Sequence, residues 1–375
     1  MPWVFVLQKN EKKNPKTGRK KTKRGHNKKK EPKQRIYHDS KTFYLKTFTQ
    51  RLNRRPTAMN LSKKGKGIMK QAVIDIGSNS IRLTLYKTDK QSLKIIFKEK
   101  IMAGLAGYVE KGKLSKEGIK LACDSVEEFR QILKSLNIRD AAVFATASLR
   151  NISNTDEAVS KIESFTGFSV DVISGQEEAR LGYCGAMQEL SISNGAFVDV
   201  GGASTEVVTF EEGKIESSVS FGVGSLNLYH RCVKKILPGS GSLMRIREVL
   251  KREVDLKPVS NRKYSSLICI GGTGRAVLKL AASCFGLEKN CRSITAENYN
   301  QLFDLLCQGD RRAIDLILKN EADRIHTIIP GMMILGHIFA HFSADELIVS
   351  KYGVREGYLC QKILTDSSNT PKTEN

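Results

Sequence analysis

The alternation of hydrophobic and polar residues divides the chain into an aperiodic start and a regular body. Residues 1–68 lack strand or helix periodicity, whereas strand-like and helix-like stretches follow one another after Lys70. The first predicted strands cover residues 71–77, 80–87, 93–100, 141–147 and 169–173, and the first predicted helices cover 115–136, 155–166 and 175–190. The strand pattern restarts at 196–200, 204–210 and 214–221, with later strands at 266–271 and 345–350 and helices at 223–235, 241–253 and 273–286. Strands that alternate with helices predict α/β layers.

The regular body contains one short pattern twice. Residues 72–80 read AVIDIGSNS and residues 196–204 read AFVDVGGAS, and the two align without a gap. The acid of the first copy, Asp75, matches Asp199 at a separation of 124 residues. Because each copy opens a strand pattern that is followed by helices, the repeat predicts a duplicated α/β domain.

Each copy combines an acid, a glycine and small polar residues in an order that suits phosphate binding. The glycine permits positive φ and a close backbone approach. The following residues predict a hairpin turn that offers N–H groups and hydroxyls to an anion. One copy alone would be typical of a strand ending in a turn, but two gap-free copies favour a functional interpretation. The candidate phosphate-binding residues are Gly77, Ser78, Asn79 and Ser80 in the first copy and Gly201, Gly202, Ala203, Ser204 and Thr205 in the second.

The acid of each copy predicts a cation site. An aspartate within so apolar a strand is costly unless it is paired, hydrogen-bonded or close to a cation. Two facing turns would hold a phosphate chain from both sides, with Asp75 and Asp199 beside it. Mg²⁺ favours this mixture of carboxylate, water and phosphate oxygens.

The formal charge of +23 is concentrated at the start of the chain. Residues 1–68 hold 22 Lys or Arg against three acidic residues, so the body is nearly neutral. Such a like-charge block predicts a disordered basic tail. The alternatives are an arm that binds RNA or polyphosphate, an inert tail, or a segment upstream of a natural start at Met69. Contact with nucleic acid is expected only if this tail belongs to the natural protein.

The cysteines and the length of the apolar runs indicate the compartment and argue against a zinc protein or a membrane protein. The eight cysteines form no C-x-x-C pair, which argues against structural zinc and suits a reducing compartment. No stretch reaches the roughly 18 apolar residues of a membrane span. We therefore expect a cytoplasmic protein without membrane attachment. The sequence leaves the oligomeric state open, with a homodimer as one option.

Three segments together resemble a known family. DIGSNSIRL, SGQEEARLGY and DVGGASTEV resemble the Ppx/GppA family of exopolyphosphatases and guanosine pentaphosphate phosphatases, within the actin-like ATPase superfamily. The resemblance implies two actin-like (ribonuclease H-like) α/β domains with a catalytic cleft between them. The first would comprise residues 69–180, with a C-terminal helix over 354–366 packing back on it, and the second residues 181–353. Arg355 and Glu356 are expected to form a pair between the domains.

The resemblance implies that Glu178 is the general base that activates water. Ser174 and Glu177 have the spacing of a helix capping box, which predicts a structural role for Glu177 and leaves Glu178 free for chemistry. The alternative for Glu178 is a first-turn acid that stabilises the helix dipole. Arg150 resembles the family's phosphate-contacting arginine, and the alternative is a surface arginine.

Further glycine-rich segments would line the same cleft. SFGVGSL and GGTG each join a strand to a helix and present N–H groups at its start. They add the candidate phosphate-binding residues Gly222, Gly224, Ser225, Gly271, Gly272 and Thr273. Mg²⁺ or Mn²⁺ would be held by Asp75 and Asp199, with Glu206 assisting. Ala203 stands where many relatives have glycine, and would cost about 1–2 kcal/mol if that position needs positive φ.

The implied activity is metal-dependent hydrolysis of the terminal phosphate of inorganic polyphosphate, with Glu178 activating the water. The alternative substrate is guanosine pentaphosphate, which would lose its 5′ γ-phosphate, and an aromatic base-stacking wall in the cleft would favour it. A hypothesis of another class is a non-catalytic sensor of polyphosphate or an alarmone, against which the intact acids argue. A third is a polyanion-binding protein that works through residues 1–68.

Overall fold

Runs of β-branched and aromatic residues form the strands of two sheets in the computed structural model, which describes residues 69–88, 93–288 and 290–364. The predicted tail, residues 1–68, lies outside the described residues. The first half of the chain contains the strands β1 (Met69–Ile76), β2 (Ile81–Thr88), β3 (Leu93–Ile101), β4 (Val109–Glu110), β5 (Lys113–Leu114), β6 (Ala142–Ala145) and β7 (Val170–Val172). The first sheet has the order β3-β2-β1-β6-β7, and β4 and β5 pair separately. Strands β1 to β3 are antiparallel, whereas β6 and β7 run parallel to β1.

The helices of this half alternate with its later strands. They are a 3₁₀ turn (Leu105–Tyr108), α1 (Lys116–Ser135), α2 (Ala147–Arg150), α3 (Thr155–Thr166) and α4 (Gly175–Met187). Ser115 caps α1 by accepting a hydrogen bond from the N–H of Gly118. Helix α3 ends at Gly167, whose left-handed conformation (φ 74°) suits glycine. Apolar residues three and four apart bury one face of α1 against the sheet.

The second sheet repeats the plan of the first. Its strands are β8 (Gly195–Val200), β9 (Thr205–Glu211), β10 (Lys214–Phe221), β11 (Ser266–Ile270), β12 (Ser293–Thr295) and β13 (Glu346–Val349), in the order β10-β9-β8-β11-β13-β12. Strand β8 pairs antiparallel with β9 and parallel with β11, as β1 does with β2 and β6. The predicted α/β fold and its duplicated plan are therefore confirmed.

The second half is richer in helix. It contains α5 (Ser225–Cys232), α6 (Ser240–Glu253), α7 (Gly271–Phe285), α8 (Ala296–Gln308), α9 (Arg311–Glu321), a 3₁₀ turn (Ala322–Arg324), α10 (Ile328–Phe342), α11 (Val354–Tyr358) and a π-helical turn (Leu359–Leu364). Within the described ranges no single helix is long and apolar enough to cross a membrane. The segment of α9 and its 3₁₀ turn reaches the required length and hydropathy only when it is counted together with α10, and the two are bent by 89° relative to each other.

Helix α4 lies between the two sheets. On one side Tyr183 packs against Phe197 and other residues of the second sheet. On another side Leu181 joins Phe144 of the first sheet and Tyr358 of α11. The rings of Phe144 and Tyr358 stack with centroids 4.7 Å apart. These contacts fix α4 at the junction of the sheets, while the domain boundary at residue 180 stays a prediction.

The other predicted strands and helices form, with differences at their ends, but the C-terminal helix predicted over 354–366 is α-helical only over Val354–Tyr358 and continues as the π-helical turn Leu359–Leu364. Residues 365–366 lie outside the described residues. Helix α4 stops at Met187, three residues before the predicted end. Helix α5 is shorter than predicted because Val233 is already extended (φ −112°, ψ 128°). Strands β4, β5 and β12 were not predicted, since two or three residues carry too little alternation to be recognised.

Candidate active site

Two matched turns form the centre of the site. The N–H of Gly77 donates to the carbonyl of Ser80 over 3.2 Å, and that of Gly201 donates to the carbonyl of Ser204 over 3.0 Å. A Cβ on either glycine would lie 3.0 Å from the same carbonyl oxygen. Neither glycine has positive φ. Glycine is therefore favoured here by the close approach of the carbonyl and not by a left-handed backbone.

The two turns face each other. A Cβ on Gly202 would lie 3.4 Å from the Cβ of Asn79, so the turn of the second sheet touches that of the first. Gly224 packs against the second turn, where a Cβ would overlap the backbone of Gly202 and Ala203. Ala203 itself does not have positive φ. The alanine at this position therefore costs no backbone strain.

A cavity of about 100 Å³ lies between the turns. It is lined by the predicted site residues Asp75, Gly77, Ser78, Asn79, Ser80, Glu178, Asp199, Gly201, Gly202, Ala203, Ser204, Ser225, Gly271 and Gly272. It is also lined by residues that sequence reasoning missed: Arg82, Thr146, Ala147, Val200, Arg324 and Val354. The predicted residues outside the lining are Arg150, Thr205, Glu206, Gly222, Gly224 and Thr273.

Two of the residues outside the lining support the turns from behind. The hydroxyl of Thr205 donates to the carbonyl of Val223 over 2.6 Å. The hydroxyl of Thr273 donates to the carbonyl of Val200 over 3.0 Å. Both side chains are buried, so in this structure their hydroxyls stabilise the backbone that carries the site.

Glu178 points into the cavity from the first turn of α4. Its side chain is only 9% exposed, and Oε2 accepts a hydrogen bond of 2.8 Å from Nη1 of Arg150. Burial raises the pKa of Glu178 to about 7, although Arg150 opposes the shift. A carboxylate with a pKa close to neutral can both accept and release a proton at physiological pH. Arg150 also donates to the carbonyl of Ile173 over 3.1 Å, so its guanidinium is fixed beside Glu178.

Glu177 has a structural role, but a different one from that predicted. Ser174 accepts a hydrogen bond of 3.1 Å from the N–H of Glu177, which is the first half of the capping box. The carboxylate of Glu177 instead lies 3.0 Å from Lys362 and 3.7 Å from Arg180. The predicted reciprocal bond is replaced because a lysine after α11 supplies a charged partner from a distant part of the chain.

Glu206 is the second buried carboxylate beside Arg150. It is 1% exposed, and its Oε1 accepts a hydrogen bond of 2.7 Å from Ser220 and lies 3.7 Å from Arg150. Its Oε2 has no hydrogen-bond partner within the described residues. Burial, followed by the charge of Glu178, raises the pKa of Glu206 well above its ordinary value. Glu206 is not among the residues that line the cavity, and its assisting role toward the metal stays a prediction.

Asp75 and Asp199 lie on the inner strands of the two sheets and line the cavity. Burial raises the pKa of Asp199 to about 6, with Arg275 and Arg82 opposing the shift. Burial also raises the pKa of Asp75, opposed first by Arg355, which lies 3.7 Å away. Each carboxylate thus carries an unfavourable charge that a cation would relieve.

These donors fit a magnesium ion that is completed by its substrate. Across the described ranges no group of three or more His, Cys, Asp or Glu side chains is placed to hold a metal. Mg²⁺ is commonly bound by one or two carboxylates together with waters and substrate phosphates. Asp75 and Asp199 are the carboxylates that would hold such an ion. Gly271 leaves room for the carboxylate of Asp199, because a Cβ at this position would overlap Oδ1 of Asp199. Its φ of +79° is also one that favours glycine.

Positive charge around the cavity comes from arginines that sequence reasoning did not assign. Nε of Arg82 donates to the hydroxyl of Ser80 over 3.0 Å. Burial and then Arg355 lower the pKa of Arg82 to about 9, and the same two causes lower that of Arg275 to about 10. Arg324 lines the cavity from the 3₁₀ turn after α9. Crowded guanidinium groups that depress one another's pKa are typical of an anion site.

Arg355 and Glu356 each contact the first sheet. Nη1 of Arg355 lies 3.7 Å from Asp75. Glu356 accepts hydrogen bonds from the hydroxyl of Tyr86 at 2.7 Å and from the N–H of Gly353 at 2.8 Å. In place of the expected pair with one another, they therefore form two separate links between α11 and strands β1 and β2.

The duplicated sheets, with a phosphate-binding type of turn on each, define an actin-like α/β fold. The sequence profile of the Ppx/GppA phosphatase family matches residues 84–366. The chain therefore belongs to the Ppx/GppA phosphatase family, which is a family of hydrolases.

Individual relatives agree in fold and extent. Exopolyphosphatase 1 of Mycobacterium tuberculosis is 23% identical over 324 residues, which is 82% of this chain and 92% of that protein. The crystal structure of the Aquifex aeolicus Ppx/GppA family member is 26% identical with a TM-score of 0.66, over 80% of this chain and 99% of that one. An exopolyphosphatase structure from Cytophaga hutchinsonii has a TM-score of 0.71 at 22% identity, over 80% of this chain and 98% of that one, and supports the fold.

Proposed function

We propose that the protein is an exopolyphosphatase, which releases the terminal phosphate of inorganic polyphosphate by metal-dependent hydrolysis. The observation that carries this proposal is the position of Glu178, with a pKa of about 7, in a cavity between two phosphate-binding turns. The M. tuberculosis relative is named an exopolyphosphatase, which supports the same substrate. The predicted cytoplasmic location is part of the proposal.

The terminal phosphate would lie between the turns that begin at Gly77 and Gly201. Backbone N–H groups and the hydroxyls of Ser78 and Ser204 would bind its oxygens, and Arg82 would neutralise charge. Mg²⁺ or Mn²⁺, held by two aspartates and the substrate, would neutralise the phosphates and orient them in line for attack. Phosphoryl transfer needs mainly such placement and charge stabilisation.

Glu178 would remove the proton from the attacking water. As the new P–O bond forms, the bond between the terminal phosphorus and the bridging oxygen breaks, and the shortened chain leaves with its electron pair. The proton passes to Glu178 and then to solvent, and the products are orthophosphate and a chain one unit shorter. Arg150 holds Glu178 in place for this step through its bond of 2.8 Å.

The cavity favours inorganic polyphosphate over guanosine pentaphosphate. No aromatic side chain occurs among the residues found to line it. Its volume of about 100 Å³ is below the roughly 300–1,000 Å³ of pockets that enclose drug-sized ligands. A guanine base would therefore remain outside and add little to recognition. A non-catalytic sensor is disfavoured because Glu178 keeps the pKa and position of a general base.

Phosphate release from the two substrates, measured side by side with the purified protein and Mg²⁺, tests the proposal. We expect kcat/KM for long-chain polyphosphate to exceed that for guanosine pentaphosphate. A preference for guanosine pentaphosphate would assign the alternative substrate to the same site. Release from neither, by folded protein with metal present, would support the sensor hypothesis.

A further inference from the structure

The outermost strand of the first sheet carries two lysines beside the active-site arginine Arg82. In the register of β2 and β3, Arg82 pairs with Lys100 and Thr84 pairs with Lys98. The register between β2 and β3 shifts between Leu85 and Tyr86, so the pairing on the two sides of this point differs by one residue. Directly paired residues on neighbouring strands project to the same face and lie about 5 Å apart. The two lysines therefore continue the positive face of Arg82 away from the cavity.

The side chain of Lys98 is exposed. Its side chain has no ion pair or hydrogen bond with another described residue. Partial desolvation of its inner portion is the largest cause that lowers the pKa of Lys98; Glu356 opposes this shift, and Arg355, Arg275 and Arg82 add to it. An ammonium group in this position is stabilised by an incoming anion.

Lys100 contacts the 3₁₀ turn that carries Arg324. Its Nζ lies 2.8 Å from Asp323, and the two side chains are 43% and 58% exposed. Asp323 precedes Arg324, which lines the cavity from the second half of the chain. An exposed ion pair of this kind contributes little stability. A phosphate can therefore replace the carboxylate as the partner of Lys100.

We propose that Lys98 and Lys100 form an outer subsite that binds the phosphates behind the terminal one, along β3. The inference rests on the proposed function and specifies the path of the polyphosphate chain outside the cavity. The terminal phosphate of the polyphosphate would lie between the two turns. Arg82 and Arg324 would contact the next part of the polyphosphate where it leaves the cavity, and Lys98 and Lys100 would contact the phosphates beyond. The protein would then prefer chains long enough to reach β3.

Lys98→Ala tests the subsite directly, with Lys94→Ala as the matched control. Lys94 is also an exposed lysine of β3, but it pairs with Lys87 and lies on the opposite face. With long-chain polyphosphate, Lys98→Ala should raise KM about fivefold, as expected for one lysine near a dense anionic surface. The salt dependence of log KM should weaken by about 0.7–0.9 for the lost contact, by analogy with nucleic acids. With tripolyphosphate neither variant should differ from wild type.

Substitutions in the ion pair between Lys100 and Asp323 show whether Lys100 binds substrate or only links two parts of the protein. Asp323→Asn frees Lys100 and should lower KM for long chains, whereas Lys100→Ala should raise it. If the pair served only to hold the two halves of the chain together, both changes would act in the same direction. That result, or equal KM and salt dependence for Lys98→Ala and Lys94→Ala, would overturn the inference.

Binding separates failure of the inference from failure of the proposed function. Titration of long-chain polyphosphate into the Glu178→Gln protein, with and without Lys98→Ala, reports affinity without turnover. If wild type does not hydrolyse polyphosphate, the proposed function fails. If it does, and Lys98→Ala leaves affinity unchanged, only the outer subsite is wrong.

Discussion

Replacing Arg150 with Met removes a positive charge beside the proposed general base while keeping much of the side-chain volume. The guanidinium donates to Glu178 over 2.8 Å and opposes the rise in the pKa of that carboxylate. Without it, burial acts unopposed and the pKa of Glu178 rises. Since the base must be ionised to accept a proton, the variant should lose activity at neutral pH and regain it at higher pH.

The magnitude follows from the geometry. An arginine next to a carboxylate lowers its pKa by about 1–3. Arg150 also interacts with Glu206, so we use the lower part of that range. The pKa of Glu178 would move from about 7 to about 8–9. At pH 7 the ionised fraction falls from about one half to between about one tenth and one hundredth, so kcat/KM falls about 5- to 50-fold.

We would measure kcat/KM for polyphosphate between about pH 5.5 and about pH 9.5, because the pH dependence of this parameter reports the pKa of the essential base in the free enzyme. Arg150→Lys retains a charge and should keep a profile close to wild type. Arg324→Met is the control, since Arg324 lines the cavity without contacting Glu178 and should reduce activity equally at every pH. A pH-independent loss in Arg150→Met would refute the reasoning and show that Arg150 acts through substrate binding.

Three further variants test other parts of the site. Glu177→Gln weakens only partly exposed ion pairs and should cost less than about 1 kcal/mol with most of the rate retained; a dead enzyme would place the base at Glu177. Asp199→Asn should remain folded but lose most of its dependence on Mg²⁺ concentration, and wild-type activity that persists in excess chelator would show that the metal assignment is wrong. Gly271→Ala places an alanine in a left-handed conformation, which costs about 1–2 kcal/mol of folding free energy, and its Cβ would overlap Asp199. The variant should therefore have both a lower melting temperature and a lower activity. Gly112→Ala has a similar φ of +76° without nearby atoms and should lower only the melting temperature.

The sequence was most informative where the site is local. Both turns are formed within nine-residue segments, and the carbonyl that each glycine approaches is three residues away. Repetition of such a segment is therefore visible without the fold. The start of the helix that carries Glu178 could likewise be predicted, because its cap Ser174 is adjacent in sequence, whereas the catalytic role of Glu178 came from the family resemblance and stays a prediction.

Residues that reach the site from distant elements were missed. Arg324 belongs to a 3₁₀ turn in the second half, and nothing in its local sequence distinguishes it from other charged residues. Arg150 was predicted to contact phosphate, yet it bonds to Glu178, which is 28 residues away in the sequence, and periodicity does not show such a contact. Arg82 could have been found, since the tight turn after Asp75 sets it directly opposite that acid.

The central claim is that Glu178 activates water for attack on a phosphate held between the two turns. The most direct test compares single-turnover phosphate release by Glu178→Gln and wild type, together with polyphosphate affinity and melting temperature. The variant cannot accept the proton, so its rate should fall by about 10²–10⁴-fold, while binding is retained or tightened because one negative charge leaves an anion site. A folded Glu178→Gln protein that releases phosphate at close to the wild-type rate would contradict the account, since the general base would then lie elsewhere.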